Sequence, residues 1–510
     1  MGPPILRMTF SLILATVVLL SGNVPVNAEQ AKGEASQSGK LDEILKGFDD
    51  HPDPEGENDG LEDVLEGFED NPEPAGDKEQ LDDVLKGFEE ESGDGKPLQK
   101  EEAEKARPLE LTGSLSLGLS YAYAHEDPKP GGPDYEGLTR FRPDIHLELD
   151  CLLPGGWKAL ISGRAFFDFA YRLNDRDQFE KEVLDVYERE AELQEVYLQG
   201  ALLENMDLKV GRQIVVWGKS DNIRVVDVLN PLDLREPGLV DIEDLRLPVA
   251  MTKLDYYLGE WNLSGIAVHE IRFNKGPVFG GEFFSLDARL PLEAEPANTL
   301  DNTEYGLSLN GIFSGWDLSF YYARFFDDRA HLEGGSIMES ERRHSRLSMV
   351  GTAVNVALGN WLLKSEAAWF EGLEFFTLPD EKMSRWDLFL GVEYSGFRDT
   401  VISLEAVNRH LKDFEPVLET APDNVRQDEF QGVLRVSGDY LHDKLHTVLL
   451  LSFYGLDWEE GALQRFSVGY DVTDALNVTM GIVTYQSGDR AELSHIGDKD
   501  RLFLEARYSF

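Results

Sequence analysis

The sequence predicts an all-β fold, a transmembrane antiparallel β-barrel of about 18 strands that follows a disordered acidic arm. Three observations predict it. From Leu111 onward, segments of roughly 10–14 residues alternate apolar and polar side chains. The connections between these segments alternate between short turns and longer polar loops. The last segment ends in the apolar alternation that finishes at Phe510.

Residues 1–28 have the pattern of a secretory signal peptide. Arg7 precedes an apolar run from about Met8 to Leu20, and small residues up to Ala28 suit a cleavage site. The run is too short for a spanning helix, which needs about 18 or more apolar residues, and no later segment has them. We therefore expect the chain to leave the cytoplasm, with a retained anchor as the alternative.

The composition excludes several classes of protein. The chain of 510 residues has 96 Asp and Glu against 48 Lys and Arg, a formal net charge of −48. Nucleic-acid phosphates would be repelled by such a chain, so no nucleic-acid partner is expected. Cys151 is the single cysteine, which excludes a disulfide scaffold and a cysteine-based zinc site. We expect no metal and no cofactor.

Residues 29–110 form the predicted acidic arm, whose composition does not bury enough apolar surface to fold alone. One unit of the type LDxxLxGF recurs in it at residues 41–50, 61–70 and 81–90. Its apolar residues fall at the spacing of one helical stripe. A helix of this length is marginal in water, so we expect each copy to fold on contact with a partner. The expected docking residues are Leu41, Leu45, Phe48, Leu61, Leu65, Phe68, Leu81, Leu85 and Phe88.

Two alternatives remain for the arm. The repeats are a solvated spacer that arose by duplication, or the stretch from Asp53 supplies carboxylates to calcium without the ligand order of an EF-hand. If the repeats do bind a partner, three copies on flexible linkers raise the avidity through effective concentration. The expected partner is a periplasmic or inner-membrane exporter component.

From residue 111 to Phe510 the connections indicate a barrel. Short turns are expected at 153–157, 259–261, 313–316, 359–361, 395–398, 442–444 and 473–475, and longer loops at 173–190, 273–300, 328–342, 410–427 and 487–499. Outer-membrane barrels have short periplasmic turns and long outer loops, which puts the arm and the C-terminus in the periplasm. A soluble β-sandwich or β-helix does not predict this alternation. Tryptophans near strand ends suit an interfacial girdle, namely Trp261, Trp316, Trp361 and Trp386.

The C-terminal strand resembles the signal that the bacterial β-barrel assembly machinery reads. It alternates apolar residues and includes Tyr508 and the final Phe510. This resemblance implies that the last strand closes the barrel against the first, in the outer membrane of a Gram-negative bacterium. Outer-membrane lipid and the assembly machinery are therefore expected partners.

A barrel of this size leaves a lumen wide enough for an aqueous channel unless something fills it. Charges of both signs are expected to face it: Glu304, Arg324, Glu366, Asp387, Glu393, Glu405, Arg435, Asp439, Asp471, Glu505 and Arg507. One inserted loop, residues 218–246, is partly apolar and would be unfavourable in water. We expect it to fold into the barrel as a constriction or plug, the alternative being a surface loop. The constriction residues are Arg212, Trp217, Asp221, Arg224, Asp227, Asn230, Pro231, Asp233 and Arg235.

The barrel region, about residues 108–510, resembles a family of outer-membrane barrels of unassigned function. The motif that carries the resemblance is G-R-Q-x-x-x-W-G followed by N-P-x-D, matched by Gly211, Arg212, Gln213, Trp217, Gly218, Asn230, Pro231 and Asp233. The family is loosely similar to alginate-export and phosphate-selective porins. Its members are often encoded beside RND-type exporters, which implies movement of a lipid or another hydrophobic molecule. The acidic arm departs from simpler members.

The sequence leaves several functions open. The first is an outer-membrane component of an RND-type export system that docks through the LDxxLxGF repeats. The second is a stand-alone porin-like channel for a small solute, with the arm as a spacer. Enzyme activity is not expected, because no nucleophile, base and orienting group stand in a catalytic spacing among residues such as His269, His331, His344 and His442. A purely structural or adhesive barrel is the remaining class.

Overall fold

The computed structural model describes residues 108–510 with gaps at 126–131, 241, 287 and 337–338. The predicted signal peptide and all three acidic repeats lie outside the described residues. The first strand begins at Leu109. The last two residues of the predicted arm, Leu109 and Glu110, therefore belong to the barrel.

Eighteen strands form one closed sheet, which confirms the predicted antiparallel barrel of about 18 strands. Each strand pairs antiparallel with the next, and the last pairs with the first through Leu115 and Tyr508. Two further short strands, β10 and β11, form a separate hairpin. The bounds are β1 Leu109–Ala122, β2 Gly137–Leu152, β3 Lys158–Phe167, β4 Arg189–Leu203, β5 Met206–Gln213, β6 Val249–Leu258, β7 Trp261–Val268, β8 Glu304–Phe313, β9 Trp316–Phe326, β10 His331–Glu333, β11 Glu341–Arg343, β12 Arg346–Leu358, β13 Trp361–Phe375, β14 Leu378–Phe397, β15 Thr400–Leu411, β16 Asp428–Tyr440, β17 Leu445–Tyr454, β18 Gly461–Asp471, β19 Leu476–Gln486 and β20 Arg501–Ser509.

The helices are short and lie in the connections. The α-helices are α1 Ala170–Leu173 and α2 Lys181–Val183, and a π-helical turn follows at Leu184–Glu188. Single 3₁₀ turns occupy Pro154–Gly156, Arg176–Gln178, Ile242–Leu245, Leu300–Asn302, Pro416–Glu419 and Ala491–Leu493. Within the described residues, no helix is long and apolar enough to cross a membrane.

Side chains alternate between the two faces of the wall, because successive residues of a strand point to opposite sides of the sheet. On β14, Trp386, Leu388 and Leu390 are 45%, 56% and 70% exposed on the outer face. Between them, Asp387 and Phe389 are buried toward the lumen. The outer face is therefore the apolar one, as the alternation predicted.

The connections differ between the two ends of the barrel. One end, here called the turn end, has the connections 153–157, 204–205, 259–260, 314–315, 359–360, 398–399, 441–444 and 472–475. At the opposite loop end lie 123–136, 168–188, 214–248, 269–303, 327–345, 412–427 and 487–500, together with the short connections 376–377 and 455–460. The turn at 204–205 is not among those that the sequence predicts. Connection 376–377 is short because β13 and β14 stay paired as far as Phe375 and Leu378.

Aromatic side chains mark both rims of the outer face. Trp316 and Trp361 directly follow two-residue turns at the turn end and are 43% and 49% exposed. Trp386 lies farther toward the loop end, with its ring centroid 4.7 Å from that of Trp369. Such girdles are typical of barrels that span a membrane.

Candidate functional site

The connection 214–248 between β5 and β6, here called the lumen loop, lies against the inner wall of the barrel. It contains the predicted insertion 218–246. Its apolar side chains pack with lumen-facing apolar residues of β6 to β16, such as Met251, Met349 and Phe389. Burying each large apolar side chain is worth about 1.5–3 kcal/mol, which keeps the loop against this wall. Six buried side chains of the loop belong to this cluster, each 8% exposed or less: Val215, Trp217, Ile223, Val225, Val226 and Leu229.

Two strand carboxylates hold the tip of the lumen loop. Glu366 on β13 accepts hydrogen bonds from the backbone N–H groups of Lys219 and Ser220, the second at 2.8 Å. Glu405 on β15 accepts from the N–H groups of Asp221 and Asn222, both at 2.9 Å. The two carboxylates are 2% and 0% exposed. A buried carboxylate needs such partners, so the strands and the tip stabilise each other.

The backbone at both glycines of the G-R-Q-x-x-x-W-G motif leaves no room for a side chain. Gly218 has a φ of +87°, and a Cβ there would stand 2.7 Å from the carboxylate oxygen Oε1 of Glu366. Gly211 has a φ of +131°, and its Cβ would stand 2.2 Å from the carbonyl oxygen of Val196. Any side chain at Gly218 would push the tip away from the carboxylate that holds it.

The N-P-x-D segment closes the base of the lumen loop. Asn230 accepts from the N–H of Val215 at 2.8 Å and donates to the carbonyl oxygens of Gln213 and Leu247 at 3.2 and 2.9 Å. Its side chain thereby joins the start of the loop to its end. The N–H of Leu247 donates to the carbonyl of Pro231 at 2.7 Å.

A charged pair stabilises the middle of the loop. Asp227, 4% exposed, accepts from the N–H of Trp217 at 3.2 Å and from the guanidinium of Arg246 at 2.8 Å. Arg224 donates to the carbonyl oxygens of Asp227 and Asn230, both at 2.7 Å. These charges pair within the loop, so its compact shape does not depend on the barrel alone.

Farther along, the loop reaches the opposite wall. Glu236 pairs with Arg140 and, at 2.8 Å, with Arg142, both on β2. Burial alone would raise the pKa of Glu236, but the two guanidinium groups outweigh it and hold that pKa well below its ordinary value. Leu239 packs there with Phe283, Val483, Tyr485 and Ile496. The lumen loop thus contacts β13 and β15 at its tip and β2 and β19 near residues 236–239, so it crosses the lumen.

The structure therefore separates the nine predicted constriction residues. Arg224, Asp227, Asn230 and Pro231 lie together in the middle and base of the loop, Trp217 in the apolar cluster and Asp221 at the tip. Asp233 and Arg235 pair with each other at 2.6 Å, and Arg235 also pairs with Glu190 on β4 at 2.8 Å. Arg212 stays in β5 and pairs with Glu192 at 3.0 Å and Glu270 at 3.4 Å.

Sequence reasoning missed the residues that fix the loop to the wall. The alternation gives no reason to single out Arg140, Arg142, Lys364 or Glu236, and it predicts Glu366 and Glu405 only as lumen charges. Their partners are more than 90 residues away along the chain. The alternating pattern carried one usable signal, since it places a charge on the inner face of β13 and of β15.

The expected lumen charges follow the inner alternation with one exception. Arg324 was wrong: it shares the outer face of β9 with the exposed Phe320 and Tyr322, while Tyr321 and Ala323 face the lumen. The strand register decides this, because Trp316 at the start of β9 points outward and every second residue follows it.

The wall that the apolar cluster leaves uncovered is polar. On β1 the exposed Leu115 and Leu117 of the outer face alternate with Ser114 and Ser116. On β2 the inner series is Asp144, His146 and Glu148, as the alternation of the strand requires. Asp144 forms an ion pair with Arg164 of β3 at 2.6 Å.

Two of the histidines named in the sequence analysis, His331 and His344, make structural contacts in the connection between β9 and β12. His344 stacks on Phe273 and bonds the Glu293 carboxylate at 2.8 Å. His331 bonds the Ser345 hydroxyl at 3.1 Å and lies 3.5 Å from Glu374. Ser345, His331 and Glu374 are the residue types of a hydrolase triad. Ser345 is only 3% exposed, however, and is not reachable by a substrate. Among the described residues, no group of three or more His, Cys, Asp or Glu side chains suits a metal ion.

The C-terminal residues lie at the seam. Phe510 and Gly113 of β1 exchange two backbone hydrogen bonds, both of 3.0 Å. The side chains of Tyr508 and Phe510 are 49% and 50% exposed on the outer face. Their role as an assembly signal stays a prediction.

Several solved structures are similar to this barrel. A BenF-like porin from Pseudomonas fluorescens Pf-5 matches with a TM-score of 0.50 and 11% identity over 79% of this chain and 98% of that chain. The outer membrane protein opdK from Pseudomonas aeruginosa gives a TM-score of 0.47 and 10% identity over 79% and 99%. OccAB2 from Acinetobacter baumannii gives a TM-score of 0.47 and 12% identity over 78% of this chain and 98% of that chain. At 11% identity, the likeness to the BenF-like porin shows the fold alone.

The comparison with curated proteins finds no match. The likeness to alginate-export and phosphate-selective porins therefore stays a prediction. The use of the G-R-Q-x-x-x-W-G and N-P-x-D motif as a signature of the family also stays a prediction. A family described as "Protein of unknown function (DUF1302)" matches residues 134–510, and the chain belongs to this family.

Proposed function

We propose that the protein is an outer-membrane channel in which the lumen loop restricts passage to small polar solutes. The observation that carries this proposal is the division of the inner wall. The apolar side is covered by the apolar side chains of the loop itself. The other side presents Ser114, Ser116, Asp144, His146 and Glu148. Barrels of this strand number leave an aqueous lumen, and charges of both signs at a narrow point set its selectivity.

A hydrophobic cargo fits this lumen less well. To reach the apolar wall, it would have to displace six buried side chains of the loop, each worth about 1.5–3 kcal/mol. It would also break the hydrogen bonds of Glu366 and Glu405 to the tip. The remaining route is lined by charged and hydroxyl groups, which water and polar solutes match.

The proposed orientation places the turn end in the periplasm. Both Leu109 and Phe510 lie at the turn end, and outer-membrane barrels have their short turns in the periplasm. The acidic arm would then be periplasmic, and the loop end would face outward. Tyr508 and Phe510 would be available to the β-barrel assembly machinery during insertion.

A second candidate function is the outer end of an RND-type export system for a lipid or other hydrophobic molecule. The observation that favours it is the acidic arm, which keeps Leu and Phe at fixed offsets in three copies. A spacer has no need of them. Photo-crosslinking from position Phe68 in cells, with mass spectrometry of the captured protein, tests it. Capture of an inner-membrane exporter or its periplasmic carrier supports export, and capture of cell wall alone contradicts it.

Conductance tests the proposed channel directly. Purified full-length protein in a planar bilayer is compared with a variant that lacks residues 29–107, so that the first strand, which begins at Leu109, stays intact. We expect the same ionic conductance from both, because the lumen loop and not the arm sets the passage. A matched variant with residues 219–239 replaced by a short Gly-Ser linker should conduct more. If neither the intact protein nor this variant conducts, the channel proposal is wrong.

A further inference from the structure

Beside the tip of the lumen loop, a recess of about 140 Å³ opens from the lumen. It is lined by Asp221 of the loop and by residues of β14, β15 and β16, namely Glu393, Val401, Ser403, Arg435 and Ser437. The strand residues lie within five positions of the turn end of their strands. A solute that enters from the turn end therefore meets this recess before the crossing of the loop.

One side of the recess carries an unused positive charge. Among the described residues, none forms a hydrogen bond, an ion pair or a ring contact with the guanidinium of Arg435. The hydroxyl of Ser403 is also without a partner, although the residue is only 6% exposed. A buried hydroxyl without a partner costs free energy, so this side suits a ligand that accepts hydrogen bonds.

The other side of the recess carries a surplus negative charge. Lys364 of β13 pairs with Asp221 and lies 3.6 Å from Glu393. One ammonium thus serves two carboxylates, and a formal charge of about −1 remains on this side. The Asp221 side chain is 43% exposed. Neither carboxylate forms an ion pair with Arg435, so the two charged sides stay separate.

We propose that this recess binds a small zwitterion of the α-amino-acid type. The carboxylate of the ligand would accept from Arg435 and Ser403, and its ammonium would donate to Asp221 and Glu393. The size fits, since cavities of about 150 Å³ hold benzene, which has as many non-hydrogen atoms as alanine. The assignment rests on the proposal that the lumen carries small polar solutes, and it names their class.

Ligands with one charge fit the recess less well. A simple anion would pair with Arg435 but leave the surplus carboxylate without a partner. A simple cation would do the reverse and leave Arg435 and the buried Ser403 unpaired. Only a ligand with both charges pairs with Arg435 and with the surplus carboxylate at once, and its carboxylate also gives the buried Ser403 hydroxyl an acceptor.

Saturation-transfer NMR on the full-length protein in deuterated detergent tests the proposal, because it detects weak binding. The probes are L-alanine, acetate and methylammonium. We expect L-alanine to bind, and each single-charge probe to bind about tenfold more weakly. Arg435→Ala should weaken L-alanine binding about tenfold or more, and Ser403→Ala should weaken it several-fold. The matched control is Arg507→Ala, a lumen arginine that pairs with Glu505 at 3.0 Å.

The outcomes separate the site from the channel. Absence of L-alanine binding, equal binding of acetate, or full binding by a folded Arg435→Ala variant overturns the zwitterion site. The unheated gel mobility of each variant shows whether its barrel is folded. Conductance in a planar bilayer is measured on the same preparations. Conduction without binding refutes this site alone, whereas binding without conduction refutes the channel and leaves the site standing.

Discussion

Replacing Glu236 with Gln removes the negative charge by which the lumen loop is held to β2. Arg140 loses its carboxylate, while Arg142 keeps Asp168 at 3.1 Å. The side chains of Glu236, Arg140 and Arg142 are 19%, 14% and 8% exposed, so solvent screens the loss only partly. Removing one partner of a buried pair costs about 3–5 kcal/mol, and a hydrogen bond to a charged group contributes about 1.5–3 kcal/mol.

Because Arg142 retains one partner and Gln still donates and accepts, we expect a loss of about 2–3 kcal/mol in the free energy that holds this contact. That corresponds to a shift of roughly 30- to 150-fold toward the released loop. Single-channel recording in a planar bilayer measures it as a higher open probability or a larger conductance. The matched control is Glu505→Gln, which also removes a lumen carboxylate, but one that pairs with Arg507 of β20 and not with an arginine that holds the lumen loop. An unchanged current for Glu236→Gln with a folded barrel would refute the claim that this contact holds the loop where it narrows the lumen.

Three further predictions follow from contacts described above. Glu366→Ala leaves the backbone N–H groups of Lys219 and Ser220 without an acceptor, and each lost hydrogen bond destabilises the docked tip by about 1–3 kcal/mol. Limited digestion with trypsin should therefore cleave after Lys219 faster than in the wild type, and equal rates contradict the role of Glu366. The hydrogen bond from His344, together with the charge of Arg342, outweighs burial and lowers the pKa of Glu293, so this contact contributes stability above the ordinary Glu value of about 4.3 and loses it as the pH falls below that value. Hydrogen exchange around Glu293 should speed up there, and His344→Ala should weaken this pH dependence, because only the ion pair with Arg342 then remains; an unchanged pH dependence contradicts the role of His344. Deleting Phe510 removes two backbone hydrogen bonds at the seam and the proposed assembly signal, so less folded barrel should appear on unheated gels of membrane fractions. Phe397 is an exposed aromatic residue at the same rim, and the control variant Phe397→Ala should assemble normally.

The wall of the barrel was predictable because one physical rule governs each strand. In β14 the alternation of Trp386, Leu388 and Leu390 with Asp387 and Phe389 shows which face meets an apolar environment. The same rule failed at Arg324, where the register was set one residue away from the true one. It also gave no sign that β14 begins at Leu378, because residues 378–384 are mostly polar and extend toward the loop end beyond the apolar outer face that begins at Trp386.

The lumen loop was only partly predictable. Its apolar content indicated that it avoids water, and the structure places it against the inner wall. Its anchors were not predictable, since Lys219 and Glu366 are 147 residues apart in sequence. The charge of Glu236 looks like any surface charge until the barrel closes and brings Arg140 and Arg142 beside it. Contacts across a closed sheet depend on strand number and tilt, which no local pattern encodes.

The crossing of the lumen also has a mechanical consequence. A hollow cylinder flattens easily under lateral load, because its wall can bend without any change in the circumference. Residues 219–222 are fixed to β13 and β15, and residue 236 is fixed to β2. The loop therefore acts as an internal strut that resists ovalisation of the wall along one diameter and leaves the perpendicular diameter softer. Lateral pressure in the membrane is then expected to deform the barrel along that softer axis first.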